Sequence, residues 1–255
     1  MTREVRLLPV VPFPLVQPGD DIAALVSAAL EEGGLQLQDG DILVLAQKIV
    51  SKAEGRYVKL AEVTVGPEAQ ALAARANKEP ALVQLILNES REVLRVRPGV
   101  IIVEHRNGYV HANAGIDRSN IPSDAAAPAV LLLPENPDAS AASLRRTLSE
   151  RYGVEVAVII NDSAGRAWRN GTQGFALGCS GIEPVEDLVG TRDLFGRPME
   201  VTEVAVADEL AAAASLVMGQ ADEACPVVLV RGARFLPSEQ GSSRLLRDRA
   251  LDMFR

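Results

Sequence analysis

Residues 156–160 are the stretch that most constrains what this chain can fold into. All five are apolar, without alternation, and Asn161-Asp162-Ser163 follows them at once. A short unbroken apolar run predicts a β-strand buried on both faces, here over residues 154–160. Two arginines, Arg166 and Arg169, come next in what we expect to be a loop, and a plain turn does not require them. The end of this strand is therefore a candidate functional site.

Strands and helices are predicted along the rest of the chain. Apolar runs bounded by turn residues predict strands at residues 4–11, 41–47, 225–232 and the beginning of 129–140. The Asn-Gly signal predicts a β-hairpin over residues 99–115. Helical patterns predict helices from Asp20 as N-cap to Gly33, over residues 67–77, 80–95, about 140–152 and most of 201–219, and a short helix in the tail 238–255. The expected fold class is α+β, with mixed α/β layers and a hairpin rather than a classical Rossmann fold.

Composition limits the broad class of protein. The chain has 255 residues, 47% of them apolar, which is enough for a sizeable core. We expect one unit over residues 1–255, with two closely packed subdomains as the alternative. The net charge of −8 argues against nucleic-acid binding. The sequence has no signal-peptide core and no apolar run near the roughly 20 residues of a membrane helix, so we expect a soluble, cytoplasmic protein without membrane contact. Cys179 and Cys225 are expected to be reduced thiols.

A second polar loop has the same form as the first. In HANAGIDRSN, residues 111–120, a predicted strand leads into Asp117, Ser119 and Asn120. Alone, such a loop is typical of an Asx turn that satisfies backbone groups. Two such loops favour another interpretation, because Asp117 and Asp162 would together offer hard oxygen ligands for Mg²⁺ or Mn²⁺, with waters and substrate phosphates completing the shell. Ser163 would add a hydroxyl ligand, although spacing does not establish that the loops meet.

The basic residues near these loops each have two interpretations. Lys48, Lys52 and Arg56 form a cluster directly after the strand at 41–47, where they would neutralise a phosphate or simply remain solvated. Arg166 and Arg169 would either hold a carboxylate or phosphate bidentately or pair with surface acids.

The other motifs give weaker evidence about function. The sequence has no GxxxxGK[ST], hence no P-loop, and the glycines of residues 171–181 do not form GxGxxG after a strand. That segment would cradle phosphates through backbone N–H groups or serve as a compact connector. His105 and His111 are interpreted as exposed strand residues rather than ligands. Trp168, the single tryptophan, is expected to pack against a neighbouring element.

Five segments have an order and spacing that match a known family. They read AQKIVSKAEGR, HANAGIDRSN, INDSAGRAWRNG, VTEVAVADELAAAASLVMGQ and PVVLVRG. Together they closely resemble the coenzyme F420-0:L-glutamate ligase (F420 γ-glutamyl ligase) family, from about residue 9 to residue 232. The resemblance implies a GTP-dependent ligase that joins L-glutamate to the carboxylate of the lactyl-phosphate arm of the deazaflavin F420-0, then adds further glutamates through γ-linkages.

The resemblance also implies cofactors and assembly. It implies Mg²⁺ or Mn²⁺, two ions per site, assistance from K⁺, and an intertwined homodimer of mixed α and β layers without a P-loop. Some relatives carry a C-terminal flavin-binding reductase domain. This chain ends at Arg255, so we expect that activity to be absent.

The site residues implied by the resemblance fall into two sets. The metal ligands would be Asp117, Asp162, Ser163 and Gln220. The GTP contacts would be Pro12, Phe13, Pro14, Leu15, Gln47, Lys48, Lys52, Asn120, Gln220, Ala221, Asp222, Glu223, Ala224, Cys225 and Pro226.

The implied mechanism assigns roles to a few of these residues. GTP would phosphorylate the F420-0 carboxylate, and the α-amine of glutamate would displace phosphate from the acyl phosphate. Asp117 and Asp162 would hold metal, Lys52 would neutralise phosphate, and Arg166 or Arg169 would hold a substrate phosphate or carboxylate. Two rival hypotheses remain: a metal-dependent GTP phosphohydrolase, and a non-catalytic deazaflavin- or nucleotide-binding protein.

Overall fold

The computed structural model describes residues 4–122 and 127–254. Its strands are β1 (Arg6–Pro9), β2 (Ile42–Ala46), β3 (Tyr57–Lys59), β4 (Ser90–Arg97), β5 (Val100–His105), β6 (Val110–Ala112), β7 (Ala129–Leu131), β8 (Ala157–Arg166), β9 (Arg169–Ser180), β10 (Glu186–Asp187), β11 (Glu203–Val204) and β12 (Val227–Arg231). Its helices are α1 (Ile22–Glu32), α2 (Gln47–Ala53), α3 (Pro67–Ala76), α4 (Pro80–Asn88), α5 (Pro137–Tyr152) and α6 (Val206–Met218). Helices and mixed sheets together confirm the α+β fold class.

A five-stranded sheet forms the centre of the molecule, in the order β1-β12-β2-β8-β9. Only β2 and β8 are parallel to each other; the other neighbours are antiparallel. Val158 and Ile160 pack with α1, α2 and α5 on one face. Ala157 and Ile159 pack with α6 on the other. This confirms the strand buried on both faces, and each fully buried isoleucine contributes about 2 kcal/mol relative to exposure.

A second layer packs beside this sheet and carries one wall of the site. Helices α3 and α4 cover the three-stranded sheet β4-β5-β6, which confirms the predicted hairpin between β5 and β6. A shorter pair, β3 with β7, joins this layer to the rest. An isolated bridge between Asp117 and Leu131 then fixes the beginning of the second polar loop.

Helix boundaries differ from the prediction in three places. The helix expected over residues 80–95 ends at Asn88, because Val93 and Val96 pair with β5 in a strand that local periodicity does not show. The N-cap of α1 is Asp21 rather than Asp20, whose carboxylate accepts the Gln17 N–H instead. Helix α5 begins at residue 137 rather than 140.

The tail prediction is also wrong. Its described residues form two short 3₁₀ turns, Ser242–Leu245 and Arg249–Leu251, and not a helix. The Ser242 N–H and hydroxyl both donate to the Asp138 carboxylate, and such side-chain bonds compete with helical ones.

The segment that was predicted as a loop after residue 160 is a β-hairpin. Strand β8 continues to Arg166, and the glycine-rich residues that follow form β9 rather than a connector. Glycine is required there because a Cβ on Gly178 would lie 2.3 Å from the Pro137 carbonyl carbon. Trp168, at the hairpin tip, is 87% exposed, so the expectation that it packs into a neighbouring element is wrong. Its ring contacts only Phe254 among the aromatic residues described.

The helices are shorter or more polar than a bilayer span requires. Within the described part of the chain, no helix is long and apolar enough to cross a membrane.

Candidate active site

A cleft of about 660 Å³ opens where the parallel strands β2 and β8 end. The carboxyl ends of parallel strands commonly border ligand sites, and the volume is typical of a small-molecule site. Five segments line this cleft, within residues 13–17, 46–52, 117–122, 161–163 and 218–226. The two polar loops of the sequence therefore do meet.

Most of the predicted site residues lie in this cleft. The predicted residues that line it are Phe13, Pro14, Leu15, Gln47, Lys48, Lys52, Asp117, Asn120, Asp162, Ser163, Gln220, Ala221, Asp222, Glu223, Ala224, Cys225 and Pro226. Pro12, Arg166 and Arg169 do not line it. Arg166 and Arg169 face each other across the exposed tip of the β8–β9 hairpin.

Asp117 is both an Asx-turn residue and a site residue. Its Oδ1 accepts the Ser119 N–H at 2.7 Å and the Ser119 hydroxyl at 2.8 Å, while Oδ2 lies 2.7 Å from the ammonium of Lys48. Burial raises the pKa of Asp117, but Lys48 and the Ser119 donors outweigh it, so the pKa lies below its usual value. The carboxylate is therefore ionised and fixed in place.

Two lysines of α2 reach across to the same loop. Lys48 and Lys52 are four residues apart and so lie on one face of the helix. The Lys48 ammonium donates to the Ser119 carbonyl at 3.0 Å, and that of Lys52 donates to the Asn120 carbonyl at 2.7 Å. Burial first, and then the charge of Lys48, lower the pKa of Lys52. These lysines form a basic wall of the cleft rather than a solvated surface.

Arg56, the third member of the predicted basic cluster, belongs to another part of the molecule. Its guanidinium pairs with Glu89 at 3.0 Å and donates to the Leu133 carbonyl. It therefore does not contribute to the cleft.

His111 is a site residue that sequence reasoning missed. It was interpreted as exposed, but its side chain is only 9% exposed and its Nε2 lies 3.0 Å from Oδ2 of Asp162. Burial lowers the pKa of His111, but the hydrogen bond and charge of Asp162 outweigh it and raise the pKa above its usual value. Alternation along the sequence gives no signal here, because it would place apolar Val110 inward and His111 outward, whereas Val110 is 45% exposed.

Asn161 was missed as well. It lines the cleft but is 4% exposed, and its amide donates to the Ser215 hydroxyl at 3.0 Å. This bond ties β8 to α6 at the residue where the pairing of β8 with β2 ends.

The loop after α6 closes the cleft on its third side. Gly219 has φ +71°, and a Cβ there would collide with the Glu223 carboxylate, which accepts the Ala221 N–H at 2.8 Å. Backbone N–H groups, Ala221 first, lower the pKa of Glu223. The Asn120 amide donates to the Ala221 carbonyl at 2.8 Å, so this loop and the Asp117 loop are joined.

The donor set decides which metal the cleft would suit. Among the described residues no group of three or more His, Cys, Asp or Glu side chains is arranged to hold a metal by itself. Two carboxylates with a hydroxyl and an amide nearby fit Mg²⁺ or Mn²⁺, which keep waters and bind substrate phosphates. They do not fit a structural zinc site.

Comparison with known proteins extends over almost the whole chain. The family model described as F420-0:Gamma-glutamyl ligase matches residues 10–232. The chain is 53% identical to the coenzyme F420:L-glutamate ligase of Methanothermobacter thermautotrophicus, over 98% of this chain and 99% of that protein. It is 48% identical to the protein of the same name from Methanopyrus kandleri, with 88% and 86% covered, and 43% identical to that from Archaeoglobus fulgidus, with 89% and 88% covered.

Proposed function

The chain belongs to the F420-0:gamma-glutamyl ligase family, and we propose that it catalyses the GTP-dependent ligation of L-glutamate to coenzyme F420-0, followed by γ-linked addition of further glutamates. The observation that carries this proposal is the 53% identity over 98% of the chain to a protein named coenzyme F420:L-glutamate ligase. The shared cleft supports it, because 17 residues assigned to nucleotide or metal from the sequence line one cavity.

Amide formation from a carboxylate requires an activated acyl group. An oxygen of the F420-0 carboxylate would attack the γ-phosphorus of GTP, the bond to the β-phosphate oxygen would break, and GDP would leave. The α-amine of glutamate would then attack the acyl carbon, inorganic phosphate would leave with the electrons of the C–O bond, and the amine would lose a proton. Catalysis of this kind depends mainly on positioning and charge neutralisation.

The cleft residues would divide this work by their charge. Lys48 and Lys52 are cations that would neutralise the phosphates of GTP in an otherwise acidic protein. The segments Phe13–Leu15 and Gln220–Pro226, with Gln47 and Asn120, would hold the nucleotide. Pro12 would support the first of these segments from outside the cleft.

A divalent metal would complete the nucleotide site. Asp117, Asp162, Ser163 and Gln220 would hold two Mg²⁺ or Mn²⁺ ions, with K⁺ as a further activator. When bound, such ions would supply charge stabilisation at the transferring phosphoryl group.

The proposed role of Arg166 and Arg169 lies at a distance from Asp162. Four residues of extended strand separate Arg166 from Asp162, which is about 13 Å. The two arginines would therefore hold the far end of a long substrate, as anion-binding groups at the hairpin tip. We further propose a homodimer and a cytoplasmic location.

One experiment separates this function from its rivals. The purified protein would be incubated with F420-0, GTP, Mn²⁺ and L-glutamate, and the products followed by mass spectrometry, with each component omitted in turn. A ligase yields F420 species heavier by successive glutamate residues, together with GDP. A phosphohydrolase yields GDP without F420-0 or glutamate, and a binding protein yields no GDP; either result would refute the proposal.

A further inference from the structure

We propose that His111 is a positioning residue for Asp162, holding that carboxylate by Oδ2 so that Oδ1 is presented to a cation in the cleft. This inference rests on the proposed role of Asp162 as a metal ligand. It adds a residue that the resemblance does not assign.

The imidazole ring is held on three sides. Nε2 lies 3.0 Å from Oδ2 of Asp162, and Nδ1 lies 3.0 Å from the carbonyl oxygen of Ala112. The ring lies beside that of Phe175, tilted by 46° with centroids 5.7 Å apart, and Phe175 packs edge-on against Tyr109. Because Tyr109 is itself stacked on His105, the ring of His111 ends a continuous aromatic row and has little freedom to rotate.

Strand pairing places the same row against Asp162. Asp162 and Phe175 are direct partners in the β8–β9 ladder, so their side chains lie on one face of the hairpin. Strand β6, which carries His111, packs against β8 at this point. The position of the carboxylate is thus set by a neighbouring strand and not by its own backbone alone.

A purely structural role would not require histidine here. The side chain is 9% exposed, and burying a polar ring costs free energy unless its nitrogens are hydrogen-bonded. A phenylalanine would fill the same space between Phe175 and β8. The polar ring is explained if it holds Asp162, much as partners of metal-bound carboxylates do in other proteins.

The two oxygens of Asp162 are consequently unequal. Oδ2 is engaged by His111, whereas Oδ1 accepts no hydrogen bond from residues 4–122 or 127–254. The side chain is 16% exposed and lines the cleft. Asp117 differs, because both of its oxygens are engaged, Oδ1 by Ser119 and Oδ2 by Lys48.

The test measures Mn²⁺ binding to the full chain without substrates, by electron paramagnetic resonance. His111→Phe keeps the size of the ring and removes both polar contacts, and should weaken Mn²⁺ affinity about 10- to 100-fold. His111→Gln places an amide N–H near the position of Nε2 and should stay within about threefold of wild type. In ligation assays the phenylalanine variant should need more Mn²⁺ for half-maximal rate but recover its kcat at saturating metal, which a loss of folded protein would not produce.

Two controls separate the possible failures. Val110→Gln, at the exposed neighbouring position of β6, should keep the Mn²⁺ affinity of wild type. If Asp162→Asn binds Mn²⁺ as tightly as wild type, the metal assignment fails and the inference with it. If Asp162→Asn loses Mn²⁺ while folded His111→Phe keeps wild-type affinity, the positioning role alone is refuted. Should the phenylalanine variant not fold, His111→Asn replaces it, because its shorter amide does not reach Asp162 and should weaken Mn²⁺ binding.

Discussion

At the scale of single residues, the proposed chemistry depends on two carboxylates that are held by different elements. Asp117 is fixed by its own turn and by Lys48 of α2, and Asp162 is fixed by His111 of β6. These contacts restrict each carboxylate to one orientation. A site that positions phosphates and a cation requires such restriction.

Replacing either carboxylate should remove activity without unfolding the protein. We expect Asp117→Ala and Asp162→Ala each to lower the ligation rate by about a hundredfold or more, because charge at the transferring group loses its partner. Both positions line the cleft rather than the apolar core, so circular dichroism should remain that of wild type. Near-normal product formation in both variants would disprove the metal assignment.

A second group of charges lies outside the cleft and serves stability. Glu89 has a side chain only 8% exposed and is approached by Arg56, Arg106 and His105. Burial raises the pKa of Glu89, but His105, whose Nε2 lies 3.7 Å from Oε2, and the two arginines outweigh it, so the pKa falls below its usual 4.5. A carboxylate with a depressed folded pKa stabilises the fold above its unfolded pKa, and that contribution is lost as pH falls through the folded value.

Glu89→Gln should therefore be costly at neutral pH and less so in acid. Removing the charge leaves two partly buried arginines without a counter-ion, and we expect a loss of about 3 kcal/mol in the free energy of unfolding at pH 7. Below pH 4.5 the difference should shrink, since a protonated glutamate resembles glutamine. Urea unfolding of the wild type and the variant at pH 7 and at a pH below 4.5 measures this difference in stability. A difference that does not change with pH would contradict the prediction.

At the scale of elements, the β8–β9 hairpin links the core to the site. Its first half is apolar and buried under helices on both faces, and its continuation carries Asp162 and Ser163 into the cleft. Its second half approaches α5 and α6 closely, because Gly178 lies against Pro137, and Gly174 lies against Ala211 and Ser215. Local sequence suggested a loop because the glycines resemble turn residues, whereas their real function is to allow helices to approach a strand.

Two alanine substitutions in this hairpin should behave differently. In Gly178→Ala the new Cβ would lie 2.3 Å from the Pro137 carbonyl carbon, so α5 must shift, and we expect a loss of about 1–3 kcal/mol in the free energy of unfolding. Gly165→Ala is the matched control, because nothing lies within 4 Å of its Cβ position, and it should change stability by less than about 0.5 kcal/mol. If the two variants are equally stable in thermal unfolding, the close approach of α5 to β9 does not restrict the side chain at residue 178.

At the scale of the whole molecule, the cleft exists only because two layers meet. The central sheet supplies Asp162, and the helices packed on it supply Lys48 and Lys52 from α2 and the loop after α6. The layer built on β4-β5-β6 leads into the Asp117 loop and places His111 against Asp162. Hydrogen bonds from Lys52 and Asn120 join the two sides. Changes that separate the layers should therefore affect the site before the sheet unfolds.

The proposed homodimer is a prediction at this scale. Leu194 and Phe195 are 99% and 86% exposed. Association of two chains would bury large apolar side chains of this kind. Light scattering coupled to gel filtration should give twice the 27.1 kDa mass of one chain. A mass of 27.1 kDa at every concentration would refute the dimer.

Much of the fold was determined by the sequence locally. The apolar run at 156–160 and the Asn-Gly hairpin were confirmed because an unbroken apolar stretch and turn chemistry act over a few residues. The helix expected beyond Asn88 was wrong, since residues 90–97 pair with β5 across the two-residue turn Pro98-Gly99, and the helical apolar pattern does not reveal that pairing.

The functional site, like the fold, was determined only in part by the sequence. The sequence by itself determined that Asp117 and Asp162 each follow an apolar run, and its resemblance to a family named residues that lie in one cleft. Only the tertiary structure decided that the Asp117 loop is held by Lys48 and Lys52, that His111 rather than Arg166 or Arg169 contacts Asp162, and that Arg56 belongs elsewhere. The sequence specifies which groups are present. Hydrogen bonds of about 3 Å depend on packing between segments up to 101 residues apart, and no local pattern encodes that distance.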